Sequence, residues 1–216
     1  MIRREVRHLY LHKGTLFATL TFFALSLFCV SLALGPEEKI LRLTTPALCW
    51  ILAILTTLFS TPLLLKDEAQ QGLLDEILLQ PLLPAFTLLS KIGAESLLLG
   101  FPLIIFGGLF SPFFALSFSE TLTLALTLLI GFPALSALGI LGGLLTLNTR
   151  GGGILIALLI LPLTLPLFLL SLICMEKVRL DLDSLPPFCL LMGVALLLTI
   201  ISVSAGSWAL RFAVEE

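Results

Sequence analysis

Along this chain the apolar residues come in long blocks rather than in alternation with polar ones. Six blocks, at residues 14–34, 46–65, 86–110, 121–147, 151–175 and 186–210, each match the ~20 apolar residues a helix needs to cross a bilayer. Hydrocarbon offers no partner to an open N–H or C=O, so blocks of this length predict helices, whose backbone bonds close within the segment. The run of short alternating strands that a barrel requires is not seen. The pattern predicts an all-α polytopic membrane protein with six transmembrane helices in a single transmembrane domain over residues 1–216.

Composition agrees. The chain is 58% hydrophobic and 12% charged, with a mean hydropathy of +1.15, whereas a soluble domain carries about 25% charged residues. The lipid bilayer is therefore its solvent. A net charge of −2 gives no reason to expect nucleic acid.

The first block follows the basic, amphipathic stretch RREVRHLYLHKG. Residues 1–13 are predicted as an interfacial helix, with Arg3, Arg4 and Arg7 on anionic headgroups and Val6, Leu9 and Tyr10 on one side. His8 and His12 have the i, i+4 spacing of a helical metal pair. No Glu follows His8 and no third ligand is near, so no metal site is predicted. The block itself exceeds the roughly 7–15 apolar residues of a signal peptide and reads as a span.

Charge sets the orientation. With the N-terminus inside, Arg3, Arg4, Arg7, Lys13, Lys66, Lys91, Arg150 and Arg211 fall on the cytosolic side, and Lys39, Arg42, Lys177 and Arg179 outside. The excess favours both termini in the cytosol.

One segment breaks the apolar pattern. Residues 66–84, KDEAQQGLLDEILLQPLLP, are too polar to span and predict a short amphipathic helix on the cytosolic side. Leu74, Ile77 and Leu78 share one face. Asp67, Gln71 and Asp75 line another, with Glu68 and Glu76 beside them. A lipid-surface helix is usually rich in Lys and Arg, so the acidic face has the wrong sign for anionic headgroups. The residues alone leave two readings open, a helix docked on a protein and a solvated loop helix.

The remaining candidates give little chemistry. There is no G-x-x-x-x-G-K-[ST] and no G-x-S-x-G. An intramembrane enzyme needs polar groups at depth, and the sequence offers no such series, so no catalytic residue is assigned. Lys91 and Glu95 read as a mutually neutralising pair at the membrane edge. Gly139 and Gly143 form a GxxxG that permits close helix packing. Pro162 and Pro166 interrupt the fifth block. Cys174 and Cys189 fall near the outer face, where a disulfide between them is left open.

The segment 66–84 resembles the cytosolic segment of the haem exporter protein B (CcmB) family in Asp67, Gly72, Leu73, Leu78, Leu79 and Pro81. RGGGILIALLILPLTLPLFL, from Arg150 to Leu169, and GPEE, from Gly35 to Glu38, are similar to further blocks of that family. The resemblance implies a type-2 ABC permease subunit of the bacterial inner membrane, active in cytochrome c maturation. It implies two copies of this chain with a separate ATPase subunit that holds the ATP, a haem-handling membrane subunit and a periplasmic haem chaperone. Segment 66–84 is then the coupling helix, and Asp67, Glu68, Gln71, Gly72, Leu74, Asp75, Glu76, Ile77 and Leu78 are its ATPase-binding residues. Haem is handled by the complex, in export or in release of the loaded chaperone. This chain binds no cofactor on that reading, and no axial His or Met ligand is expected within its spans. A type-2 exporter of lipid or drug remains the alternative.

Overall fold

The computed structural model describes residues 13–35, 37–70, 84–146 and 152–214. The interfacial segment 1–12 and most of the coupling segment, residues 71–83, lie outside the described residues. Helix α1 spans Lys13–Leu34 and α2 spans Glu38–Gln70. The third crossing is compound: α3 (Pro84–Glu95), a π-helical turn (Ser96–Gly100) and α4 (Phe101–Phe110). A 3-10 turn at Ser111–Phe114 leads to α5 (Phe118–Thr146), followed by α6 (Gly152–Arg179) and α7 (Leu185–Val214). No strand occurs among the described residues. Six of these helical runs are long and apolar enough to cross a membrane, and the chain is an all-α polytopic membrane protein.

Burial ranks the spans. In α5, 72% of the span is buried within the chain, and in α2, 67%, against 11% for α1 and 22% for α7. Thus α5 is the axis of the bundle, flanked by α7, α6 and α2, while α1 rests outside on α2. Exposed Phe17, Leu25, Phe28 and Leu32 on α1 and Leu196, Leu197 and Ile200 on α7 present the apolar surface that lipid requires.

Between helices in lipid, apolar burial supplies little drive, because acyl chains are as apolar as leucine; close packing must do it. The α2–α5 contact is built that way. Trp50, fully buried, lies over Gly131, where an added Cβ would meet the indole ring. Its Nε1 donates to Thr127 Oγ1 at 3.4 Å. Farther along, Gly139 faces Thr57 and Thr61, and Gly143 faces Pro62 and Leu65. The GxxxG is therefore a packing face, and the two helices run in the same direction.

Three boundaries differ from the sequence reading. Helix α2 starts at Glu38, not at residue 46, so Pro46 lies inside it. The added turns contain Arg42, whose partners are described below. At the other end α2 passes Lys66 without a break and reaches Gln70, so the backbone of Asp67 and Glu68 continues the second span. Pro84 opens α3, as suits a residue with no N–H to offer.

Cys174 is buried and Cys189 exposed, and both are free thiols; the disulfide left open by the sequence is not formed.

Candidate functional site

The segment predicted to carry the function hangs between α2 and α3. Of its candidate residues, Gln71, Gly72, Leu74, Asp75, Glu76, Ile77 and Leu78 lie outside the described residues. Asp67 and Glu68 are placed only as backbone in the last turn of α2. What the structure does define is the root of the segment. There Leu65 of α2 and Leu88 and Ile92 of α3 pack with Ala137, Ile140 and Leu144 of α5, and Ala69, Val203 and Ala209 close the cluster. The end of α2 and the start of α3 thus pack into one apolar knot on the central helix, while Lys66 is exposed.

Above that knot lies a polar layer. Lys91 is 5% and Glu95 2% exposed, so both are covered by neighbouring helices. Glu95 lies eleven residues into its helix, about 16 Å at 1.5 Å per residue, and its Oε1 accepts a hydrogen bond from Thr61 Oγ1 of α2. Burying a carboxyl away from water is tolerated only with such partners. The π-helical turn begins at the next residue. Pro102, which has no N–H for the carbonyl of Leu98, lies just beyond it. The N–H of Phe101 reaches Ser96 O, five residues back.

At the opposite end of the bundle, where α2 and α5 begin and α6 ends, is a second polar cluster. Glu120, 1% exposed, accepts from Arg42 Nε at 2.8 and 3.1 Å and from Arg179 Nε at 2.7 Å. The same carboxylate accepts from the Ser117 backbone N–H at 2.9 Å and its Oγ at 3.0 Å. Ser117 Oγ in turn accepts from the Glu120 N–H at 3.3 Å. This is a capping box that starts α5. Arg179 also donates to the carbonyl of Arg42. That carbonyl would ordinarily take the N–H of the residue four positions on, which is Pro46, so the guanidinium fills a vacancy that proline makes. Lys39, Arg42, Arg179 and Glu38 line a cleft of about 410 Å³ outside this network. Sequence reasoning counted Arg42 and Arg179 only as loop charges and missed Glu120. The signal was the S-x-x-E of Ser117–Glu120 before an apolar run.

Three charges from three helices meet at one end, and Thr61, Lys91 and Glu95 lie toward the other. The geometry offers a polytopic bundle with a clamped rim at one end and, at the other, α2 and α3 joined to the central helix through an apolar cluster. Among the described residues no group of three His, Cys, Asp or Glu could hold a metal ion. Of the methionines, Met175 of α6 is buried in the main core and Met192 of α7 is half exposed.

Compared with known families, residues 1–213 match the model of the CcmB protein family. The chain belongs to the CcmB family. It is 34% identical over 212 residues to the heme exporter protein B of Pseudomonas aeruginosa, covering 95% of this chain and 94% of that protein. To the heme exporter protein B of Haemophilus influenzae it is 33% identical over 183 residues, 84% of this chain and 82% of the relative. The corresponding Escherichia coli K12 protein is 32% identical over 183 residues, 84% and 83%. The CcmB match covers all six candidate crossings and the residues of both polar clusters.

Proposed function

We propose that this chain is the permease subunit of an ABC transporter of cytochrome c maturation, resident in the bacterial inner membrane with both termini in the cytosol. The observation that carries the reading is the match to the CcmB family over residues 1–213, together with relatives named heme exporter protein B. No Walker-type phosphate loop is present in the sequence, so ATP belongs to a separate ATPase subunit.

In this reading the acidic segment 66–84 docks on that subunit through Asp67, Glu68, Asp75 and Glu76. Leu74, Ile77 and Leu78 hold it against the bundle or the docking groove. ATP can shift the bundle only by favouring one arrangement of the ATPase pair over another. The loop's apolar root on α5 passes that displacement to the central helix. Two copies of the chain, a haem-handling membrane subunit and a periplasmic haem chaperone complete the assembly. Haem is cargo of the complex, and this chain supplies no axial ligand to it. Family membership speaks against the lipid- or drug-exporter alternative.

The test is purification of the tagged chain from its native membrane in mild detergent. Recovery of an ATPase subunit and a haem-handling subunit is the expected result; a homo-oligomer alone contradicts it.

A further inference from the structure

The elements on either side of the 71–83 segment are tied together inside the membrane. Thr61 stands nine residues before the end of α2, and Glu95 closes α3. The hydroxyl of one donates to the buried carboxyl of the other. On the root side of this bond lies the apolar cluster of Leu65, Leu88, Ile92, Ala137, Ile140 and Leu144. On its far side the third crossing changes character at once, with the π-helical turn Ser96–Gly100 followed by Pro102 in the first turn of α4.

We infer that the Thr61–Glu95 bond is a latch and the Ser96–Gly100 turn a hinge. Together they make the inner halves of spans two and three move as one body when the loop between them is displaced. This rests on the coupling role proposed for that loop.

The physical argument has two parts. First, a loop joined to two independently mobile helices would dissipate a push by splaying them. A hydrogen bond to a buried carboxyl resists splaying, because breaking it leaves a desolvated acid without that donor. Second, a continuous α-helix would carry the motion along the whole third span. Here the α pattern is interrupted by a wider turn, and Pro102 leaves the carbonyl of Leu98 without its α-helical donor. The inner half, α3, packs on α7 and α5, while the outer half, α4, packs on α5 and α1. The two halves therefore have different neighbours. At the joint Gly100 meets the ring of Phe132, where an added Cβ would stand 2.6 Å from Cδ1, so the pivot is held close against a side chain of the central helix. Thr61 and Glu95 are thus positioning residues that touch no ligand.

Three variants in the complete complex test this: Thr61→Val, which keeps shape and loses the donor; Thr61→Ser, which keeps the donor; and deletion of Leu97, which removes the extra residue of the turn. Each is read by the amount of chain in the membrane, by the ATPase subunit recovered with it, and by the yield of mature c-type cytochrome. Thr61→Val and the deletion should lower cytochrome yield about tenfold, taking the tenfold step of 1.4 kcal/mol as the order of one lost hydrogen bond. Chain level and ATPase recovery should stay unchanged, and Thr61→Ser should match wild type within about twofold. Wild-type yield from Thr61→Val would overturn the latch, and wild-type yield from the deletion would overturn the hinge. A parallel fall in chain level, ATPase recovery and yield would also overturn it, because the bond would then serve folding alone. Failure of the unmodified chain to recover any ATPase subunit would instead sink the coupling role on which the inference rests.

Discussion

Individual residues in this bundle are chosen against the two penalties that lipid enforces, unpaired polar groups and poor packing. Glu120 illustrates the first. Its carboxylate satisfies Arg42, Arg179 and the start of α5 at once, and Arg179 also covers the carbonyl that Pro46 leaves open. Glu120→Ala strands a mostly buried Arg179 and removes half of the capping box. It should cost about 3 kcal/mol, in the range for breaking a buried pair, read as a lower denaturant midpoint in detergent. Arg179→Lys should also destabilise, by about 1–2 kcal/mol, because an ammonium cannot reproduce the fork that reaches both a carboxylate and a carbonyl. Gly131 illustrates the second penalty. A methyl group there runs into Trp50, so Gly131→Ala should cost about 1–3 kcal/mol through overpacking. Gly193, with open space around it, is the control: Gly193→Ala should be neutral or slightly stabilising in the same assay.

At the scale of elements, the spans were legible and the polar layers were not, for one physical reason. Lipid demands apolarity from every residue it touches, so a crossing writes itself into the sequence locally. The position of Glu95 is fixed by what packs on it. That Glu95 is buried shows only once α2 brings Thr61 against it. Glu120 was closer to legible, because a capping box is local; its two arginines, at positions 42 and 179, come from distant parts of the chain. The start of α2 at Glu38 was hidden behind the charges of GPEEKILR, which look like loop until Arg42 is seen to be paired. The π-helical turn was not legible: Pro102 follows it, but Pro46, Pro62, Pro133, Pro162 and Pro166 sit inside α-helices without such a turn. On the proposed docking segment, reversing Asp67, Asp75 and Glu76 together to Lys should cut ATPase recovery at least tenfold. The amount of chain in the membrane should not change. Recovery equal to wild type would favour a solvated loop helix.

For the whole molecule, the arrangement is a peripheral first and last span around a buried pair, α2 and α5, with a clamped rim at one end and the 71–83 loop leaving from the other. The two ends are chemically distinct: the arginines of one close on a single glutamate, and at the other an apolar cluster joins the ends of α2 and α3 to the central helix. Such a bundle can receive a force at the loop and hold its far rim fixed. No Walker-type phosphate loop occurs in its sequence, which fits the proposal that a partner subunit supplies the force. The most direct test is a photo-activatable cross-linker at position 75 in the native membrane. The account predicts an adduct between this chain and a cytosolic ATPase subunit, with a yield that changes when ATP is added. Labelling of position 75 only from the periplasmic side, with no ATPase adduct under any nucleotide condition, would contradict it.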